Sequence, residues 1–348
     1  MAEIYAHQLE REAQCFARFP RSADWPKQEG LLQFRLHRYI TVTWLYEINF
    51  ELGLRPETYF LAVALFDRCA VRMTLARATM QCVAVTCCFL ASKYEEIHPI
   101  LLDDCVYFTA ESSTGAQVTA MERQLLREVL DYQVGSPTVV QFLQPLHWLT
   151  DGASADEGPA ETMLWMLAEL ASLSDRLAVE RPSRVAAACV LLVRHFVGRL
   201  YYPALRMLAE ACCCTTSALQ SIVGTLFRAY EKMMEVRDEH VVYTAYAARD
   251  CMLAPEPAIV GPPPSCTVGA TAGALFGTAT APPSPIKPAH RAPLASSDSS
   301  SLTWDEMHSG LFAAPVTRSP STMCVSQAGA ETATWSPTGI APWPELWS

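Results

Sequence analysis

Residues 77–93 read RATMQCVAVTCCFLASK and are apolar on almost every face of a helix. A helix that is apolar all round is buried among other elements instead of lying at a surface. The longest apolar run, Met80–Ala91, includes Gln81 and Thr86 and is too short to span a bilayer. The stretch therefore predicts a central helix in an all-α domain.

Further helical patterns lie on both sides of this stretch. Apolar residues recur at three- and four-residue spacing, prolines stand at several predicted helix starts, and no stretch shows sustained strand alternation. The first series of predicted helices is 2–15, 31–52, 56–71, 77–93, 99–108 and 114–130. After the break Gly135-Ser136-Pro137, a second series is 138–148, 159–178, 182–200, 202–213, 216–236 and 239–249. We predict an all-α fold of two tandem five-helix domains, wrapped around 77–93 and 182–200.

The predicted helices divide the chain into four regions. Residues 1–30 form an N-terminal helix and linker, 31–137 a first helical domain and 138–250 a second. Residues 251–348 are rich in Pro, Ser, Thr, Ala and Gly, and they lack sustained periodicity. Such a composition cannot bury enough apolar surface to fold, so we predict a mostly disordered C-terminal tail.

Composition excludes several classes of function. The 348 residues carry a net charge of −10, which argues against a broad nucleic-acid surface. The amphipathic N-terminus lacks the apolar core of a signal peptide, and no membrane span is evident. The 13 cysteines are scattered and lack metal-ligand spacing, which indicates small buried side chains in a reducing compartment. We expect no metal or cofactor, and a location in nucleus and cytoplasm.

No enzyme motif is evident either. The sequence has no Gly-rich phosphate loop, no glycine-flanked nucleophilic serine and no His-x-x-x-His metal helix. We therefore predict a non-catalytic protein.

Two charged residues stand in otherwise apolar helical stretches. Arg38 lies in HRYITVTWLYEI, residues 37–48, and Asp67 lies in ETYFLAVALFDR, residues 57–68. A buried guanidinium needs a partner, and its planar fork fits a carboxylate. We predict an internal ion pair between Arg38 and Asp67. Ala62 is predicted to mark a close helix crossing, where a larger side chain would push the backbones apart.

These two stretches, with MQCVAVTCCFLASKYEEIHP at residues 80–99 and VTAMERQLL at 118–126, resemble successive helices of the first cyclin box of A/B-type cyclins. The residues that mark that box are present in register: Arg38, Ala62, Asp67, Lys93 and Glu122. The second domain is similar to the second box, more loosely, at 136–143, 167–170 and 181–188. The resemblance covers about residues 2–250.

The resemblance implies a regulatory subunit that binds and activates a cyclin-dependent Ser/Thr protein kinase and promotes S phase or G2/M. In cyclins the residues matching Lys93 and Glu122 grip the kinase's regulatory helix. Tyr94, Ile97 and Tyr132 are expected to add an apolar rim. The alternative for Lys93 and Glu122 is a solvated surface pair. Between Glu122 and Tyr132 the chain is one residue longer than the family pattern.

The resemblance also implies a groove for substrates or inhibitors with Arg-x-Leu motifs. Its expected residues are Ile40, Trp44, Glu47, Met80 and Gln81. His37 and Thr41 stand where the family has methionine and leucine, which weakens the apolar floor. The alternative for Trp44 is ordinary core packing.

Two rival functions remain at this point: a degenerate cyclin that acts as a scaffold, and a transcription-factor-type tandem cyclin fold that binds DNA. In the tail, Ser284-Pro-Ile-Lys287 has the form that cyclin-dependent kinases phosphorylate. Arg291-Ala-Pro-Leu294 is a minimal match to a destruction box. Because the first predicted helix begins at residue 2, no N-terminal extension carrying such a box is expected.

Overall fold

The computed structural model of the chain describes residues 2–19, 31–151, 159–199, 201–248 and 262–264. Every regular element in these ranges is helical, which confirms the predicted all-α class. None of these helices is both long enough and apolar enough to cross a membrane. Ser284 and the segment 291–294 lie outside the described residues.

The first helical domain is built around a central pair of helices. Its elements are α1 (Ala2–Arg18), α2 (Leu31–Glu51), α3 (Pro56–Arg72), α4 (Arg77–Glu95), α5 (Leu102–Phe108) and α6 (Gly115–Gln124), and α6 continues into a π turn (Leu125–Val129). α3 packs along α4, and both are buried over most of their length. The stretch 77–93 is thus a central helix, as its sequence predicts.

The second domain repeats this plan around a different helix. Its elements are α7 (Val140–Asp151), α8 (Pro159–Leu173), α9 (Asp175–Ala178), α10 (Pro182–Phe196), α11 (Tyr201–Ala211), α12 (Thr216–Glu235) and α13 (Val241–Ala248). α10 packs against α7, α8, α11 and α12, and it is the central helix of this domain.

At two places the observed helices differ from the predicted ones because local capping intervenes. The helix predicted from Pro99 begins at Leu102, where the Asp104 carboxylate accepts the backbone N–H of Leu101 at 2.7 Å. The helix predicted over 159–178 is interrupted at Ser174, whose hydroxyl accepts the N–H of Leu177 and starts α9. A side-chain acceptor at a helix start replaces the missing intrahelical partner, so both caps set new boundaries.

Buried polar contacts join the two domains. The Arg38 guanidinium donates to the carbonyl oxygens of Ser172 (3.2 Å) and Leu173 (3.3 Å) at the end of α8. The Tyr46 hydroxyl donates to the Glu169 carboxylate at 2.7 Å. Carbonyls at a helix end have no intrahelical donor, and a cation there also meets the negative end of the helix dipole. The domain interface is therefore specified by polar pairing as well as by apolar packing.

Helix α1 contacts both domains. Near its middle, the Glu12 carboxylate accepts the backbone N–H (2.7 Å) and the hydroxyl (2.9 Å) of Ser183 at the start of α10. Beyond its last residue, Phe19 is buried, and the Arg68 guanidinium carbon lies 4.1 Å from its ring centroid. Cation–π contact of this kind adds to the burial of the aromatic ring. α1 thus lies against both domains and connects them.

The cysteines of the described residues are thiols, most of them buried. Burial raises the pKa of Cys88 and of Cys105 to about 12. Such thiols stay protonated at neutral pH and pack as small apolar side chains. This arrangement agrees with the sequence interpretation of the cysteines as core residues.

Candidate functional site

The candidate site begins at the end of the central helix α4. Lys93 lies in the last turn of α4, and its Nζ donates to Glu122 Oε1 at 2.7 Å. The same Nζ lies 3.7 Å from the ring centroid of Phe89, one turn earlier. The Lys93 side chain is 40% exposed and that of Glu122 is 16% exposed. The ammonium is therefore held between an aromatic ring and a carboxylate, yet it remains open to a partner.

Glu122 is positioned by the start of helix α6. Thr114 and Gln117 form a capping box, in which each side chain accepts the other residue's backbone N–H at 3.3 and 2.8 Å. Such reciprocal capping fixes where a helix begins. The fully buried Val118 anchors α6 in the core, and α6 packs on α4. Glu122 thus reaches Lys93 from a neighbouring, well-anchored helix.

Large apolar side chains on the segments that follow Lys93 and Glu122 are exposed. Tyr94, Ile97 and Tyr132 are 55%, 91% and 64% exposed, and Leu101 is 67% exposed. Exposed apolar groups gathered beside polar ones are typical of an interaction surface. Leu101 is not among the sequence-predicted residues, although its place directly before α5 leaves it no core to enter. We call Lys93, Glu122 and these four side chains the contact surface.

Gly135 connects Tyr94 to the segment that carries Tyr132. A Cβ on Gly135 would lie 2.2 Å from the Tyr94 hydroxyl oxygen, so the Tyr94 side chain lies directly against this backbone. The carbonyl of Gly135 accepts a hydrogen bond from Arg11 of α1 at 3.4 Å. The segment that carries Tyr132 therefore packs against Tyr94 and is also hydrogen-bonded to α1.

A π turn lies between Glu122 and Tyr132, in the stretch that the sequence analysis predicts to be one residue longer than the family pattern. The N–H of Leu130 donates to the carbonyl of Leu125, five residues earlier, at 2.8 Å. A π turn is a widened turn within a helix and is frequent at functional sites. In a regular α-helix, side chains five positions apart lie on different faces. Here Leu125, Val129 and Leu130 are all buried. The core contacts are thus kept across the π turn.

Two consecutive residues after the π turn have left-handed backbone angles. φ is +49° at Asp131 and +57° at Tyr132. Such angles are uncommon for a bulky side chain and cost of order 1–3 kcal/mol, and they cluster at functional sites. The Tyr132 hydroxyl accepts a hydrogen bond from Arg127 Nε at 3.3 Å. Tyr132 thus combines an exposed side chain with a strained backbone conformation.

Arg38 and Asp67 lie together in the core. Arg38 Nε and Nη2 donate to the two carboxylate oxygens at 2.8 and 2.9 Å, and both side chains are almost fully buried. Burial lowers the pKa of Arg38, but the adjacent Asp67 carboxylate outweighs it and the net pKa is raised. The guanidinium therefore stays charged. Ala62 is buried on α3, the helix that packs along α4.

The residues expected to form a substrate groove are only partly accessible. Trp44 and Met80 are 2% and 1% exposed, so they belong to the core and do not form an open apolar floor. Ile40, Glu47 and Gln81 are half-buried. Core packing, the alternative considered for Trp44, is what the structure shows. Burial of the bulky ring and of the thioether is energetically favourable.

The described part of the chain contains no group of three or more His, Cys, Asp or Glu side chains that could hold a metal ion. The contact surface itself lacks a nucleophile paired with a base. Its chemistry is that of recognition: one donor group, one acceptor group and exposed apolar area.

Comparison with known proteins first gives the class of this fold. The chain matches the family models "Cyclin, N-terminal domain" over residues 3–135 and "Cyclin, C-terminal domain" over 137–254. Together these span most of the chain and correspond to two cyclin boxes. The chain belongs to the cyclin family, and its relatives place it with the A/B type.

Two curated relatives show the similarity. The chain is 36% identical over 198 residues to Cyclin-A1 of Mus musculus, which covers 57% of this chain and 45% of that protein. It is 34% identical over 162 residues to G2/mitotic-specific cyclin-B of Drosophila melanogaster, which covers 46% of this chain and 30% of that protein. The match thus spans less than half the length of either relative.

Solved structures share the fold. A viral cyclin from herpesvirus saimiri superimposes with a TM-score of 0.55 at 17% identity, covering 64% of this chain and 95% of that chain. The yeast RNA Pol II CTD kinase CTDK-1 complex gives a TM-score of 0.51 at 12% identity, covering 66% of this chain and 73% of that chain.

Proposed function

We propose that this chain is the non-catalytic regulatory subunit of a cyclin-dependent Ser/Thr protein kinase, which it binds as a heterodimer and activates. The observation that carries the proposal is the exposed Lys93–Glu122 pair, together with the apolar side chains of the contact surface. Membership of the cyclin family supports the same assignment.

The pair suits the recognition of a helix. An ammonium can donate to the unpaired carbonyls at the end of a partner helix, and a carboxylate can accept unpaired backbone N–H groups. A partly exposed ion pair contributes at most about 1 kcal/mol, so rearranging Lys93 and Glu122 on binding costs little. Gripping the kinase's regulatory helix turns it inward, where its glutamate pairs with the ATP-site lysine.

The test is co-purification of the full chain with a panel of cyclin-dependent kinases, followed by a histone kinase assay. The double variant Lys93→Ala, Glu122→Ala should lose about 100-fold in kinase affinity, since each hydrogen bond to a charged group is worth about 1.5–3 kcal/mol. The matched control is Lys232→Ala, Glu235→Ala, an exposed pair at 3.2 Å on α12. It should behave like wild type.

The outcomes separate the rival functions. Binding without activation would favour a cyclin-fold scaffold. Absence of binding to every kinase, together with salt-dependent DNA binding, would favour the transcription-factor type. The net charge of −10 speaks against the latter.

The similarity to A/B-type cyclins also leads us to propose a role in S phase or G2/M. We further propose a location in nucleus and cytoplasm, because the amphipathic N-terminus lacks the apolar core of a signal peptide. Following a tagged full-length chain through synchronised cells tests both parts. A peak of abundance confined to G1, or a location outside these compartments, would contradict them.

Docking of Arg-x-Leu substrates or inhibitors is a finer proposal. Glu47 is half-buried and could receive the arginine, but Trp44 and Met80 are closed off in the core. We therefore expect weak binding, with Kd above about 100 µM, or about −5.5 kcal/mol. Fluorescence anisotropy with a labelled Arg-x-Leu peptide and its Ala-x-Ala control measures it. Tight binding would show that the groove opens.

Ser284 remains a proposed target of the bound kinase, because Ser284-Pro-Ile-Lys287 has the preferred form. Phosphate would add about −1.5 to −2 charges there. Mass spectrometry of the active complex reports on it, with Ser284→Ala as control, and an unmodified Ser284 after full histone phosphorylation would exclude it.

A further inference from the structure

The π turn brings a pair of hydrogen-bond donors to the edge of the contact surface. Arg127 lies within the turn and is exposed, and its Nε donates to the Tyr132 hydroxyl at 3.3 Å. A tyrosine hydroxyl both accepts and donates, whereas arginine only donates. Since the hydroxyl accepts from Arg127, its own proton remains available to a group outside. Arg127 has four further N–H donors on its guanidinium.

Two carboxylates near this pair along the chain are engaged elsewhere, whereas Glu128 follows Arg127 directly and is exposed. Asp131 pairs with Arg18 of α1, and Glu122 is bonded to Lys93. A cation and a hydroxyl donor therefore stand side by side, exposed, in a chain with a net charge of −10. The complementary group is an anion with two acceptor oxygens. A carboxylate side chain meets that description.

We propose that Arg127 and Tyr132 form a carboxylate-reading site at the edge of the contact surface, and that this site selects kinases carrying an acidic side chain at the facing position. The inference rests on the proposed function, since it assumes that a kinase covers this surface. Charged groups at the edge of an interface govern partner choice and association rate more than total affinity. The site thus determines which kinase is accepted.

The π turn creates this site. With Glu128 deleted, the N–H of Leu130 and the carbonyl of Leu125 would be four residues apart, and their bond would become an ordinary α-helical one. The buried side chains would keep their face, but Arg127 would no longer stand in the widened turn beside Tyr132. The added residue therefore changes the surface of the helix while leaving its core contacts in place.

The test measures the Kd between the full chain and the kinase that co-purifies best. Arg127→Gln and Tyr132→Phe should each weaken binding about tenfold and leave the thermal transition unchanged, because these side chains are exposed. Arg127→Gln should also reduce the salt dependence of the association rate. Arg206→Gln, an exposed arginine of the second domain, is the matched control and should bind like wild type.

A charge exchange identifies the partner group. Arg127→Glu should lose binding, and replacing the facing acidic residue of the kinase by lysine should restore it. If Arg127→Gln and Tyr132→Phe both stay within twofold of wild type while Lys93→Ala, Glu122→Ala loses binding, the carboxylate-reading site is wrong and the proposed function stands. If the wild-type chain binds no kinase, both are wrong.

Discussion

Replacing Asp67 by alanine is expected to lower the free energy of unfolding by about 3–5 kcal/mol. The substitution removes both carboxylate oxygens that Arg38 Nε and Nη2 contact at 2.8 and 2.9 Å. The guanidinium is almost fully buried, so water cannot replace the lost partner. An unpaired buried charge costs far more than the pair contributes. Denaturant unfolding followed by circular dichroism gives the difference directly.

The control for this experiment is the double variant Arg38→Met, Asp67→Leu. Apolar side chains of similar size often replace a buried ion pair at little cost, so the double variant should recover much of the loss caused by Asp67→Ala alone. A loss below about 1 kcal/mol for Asp67→Ala would show that Arg38 finds another partner or leaves the core.

The effect should extend to the interface between the two cyclin boxes. The same guanidinium that pairs with Asp67 donates to the carbonyls of Ser172 and Leu173 at the end of α8. Asp67 orients Arg38 for these contacts, because the bidentate pairing fixes the plane of the guanidinium. Loss of Asp67 therefore weakens both the first box and its attachment to the second.

The fold was predictable because helices depend on local features of the sequence, such as apolar periodicity and prolines at helix starts. The apolar stretch 77–93 indicates a central helix whatever surrounds it, and prolines mark the starts of α3 and α10. Boundaries set by side-chain capping, as at Leu102 and Ser174, depend on a hydrogen bond and not on periodicity. Such boundaries are harder to read from a pattern.

The candidate site was only partly predictable. The pair Lys93 and Glu122 could be predicted only from resemblance to a family. Their 2.7 Å contact depends on how α4 and α6 pack, which the sequence pattern does not show. The added residue before Tyr132 was visible as a length difference, but its form as a π turn was not. Its form depends on tertiary packing, since both Leu125 and Leu130 are buried in the core.

The burial of Trp44 could not be predicted from the sequence for a different reason. A tryptophan on an amphipathic helix suits a groove and a core equally well, because its large ring gains from burial in either. Only the tertiary packing decides between them, and in the structure both Trp44 and Met80 are buried.

Replacing Glu12 by alanine is expected to cost about 2–3 kcal/mol and to loosen α1. The carboxylate is 1% exposed and accepts both the N–H and the hydroxyl of Ser183. Its loss leaves two buried donors without this partner at the start of α10, each costing about 1–3 kcal/mol when unsatisfied. Hydrogen exchange should speed up throughout α1, because its contact with the second box depends on this group. Unchanged exchange in α1 would mean that its other contacts, such as those of Arg11 and Phe19, hold the helix without Glu12.

Glu12→Gln separates the charge of this side chain from its shape. Burial raises the pKa of Glu12 above its ordinary value of 4.5, although the bonds from Ser183 and the charges of Arg181 and Arg184 oppose the shift. For a raised pKa, the stabilisation is complete below pH 4.5 and is lost as pH rises through the folded-state value. Glutamine has nearly the shape of the protonated glutamate side chain, is uncharged and does not titrate.

The difference in unfolding free energy between wild type and Glu12→Gln should therefore change with pH in favour of the variant above pH 4.5. At neutral pH the variant should match or exceed wild type, whereas Glu12→Ala should be clearly weaker than both. Urea unfolding at several pH values measures this, and the other titrating groups cancel in the comparison. If Glu12→Gln instead loses stability relative to wild type as pH rises, the charged carboxylate is favoured at the start of α10. Its attraction to the helix dipole then outweighs the cost of its burial.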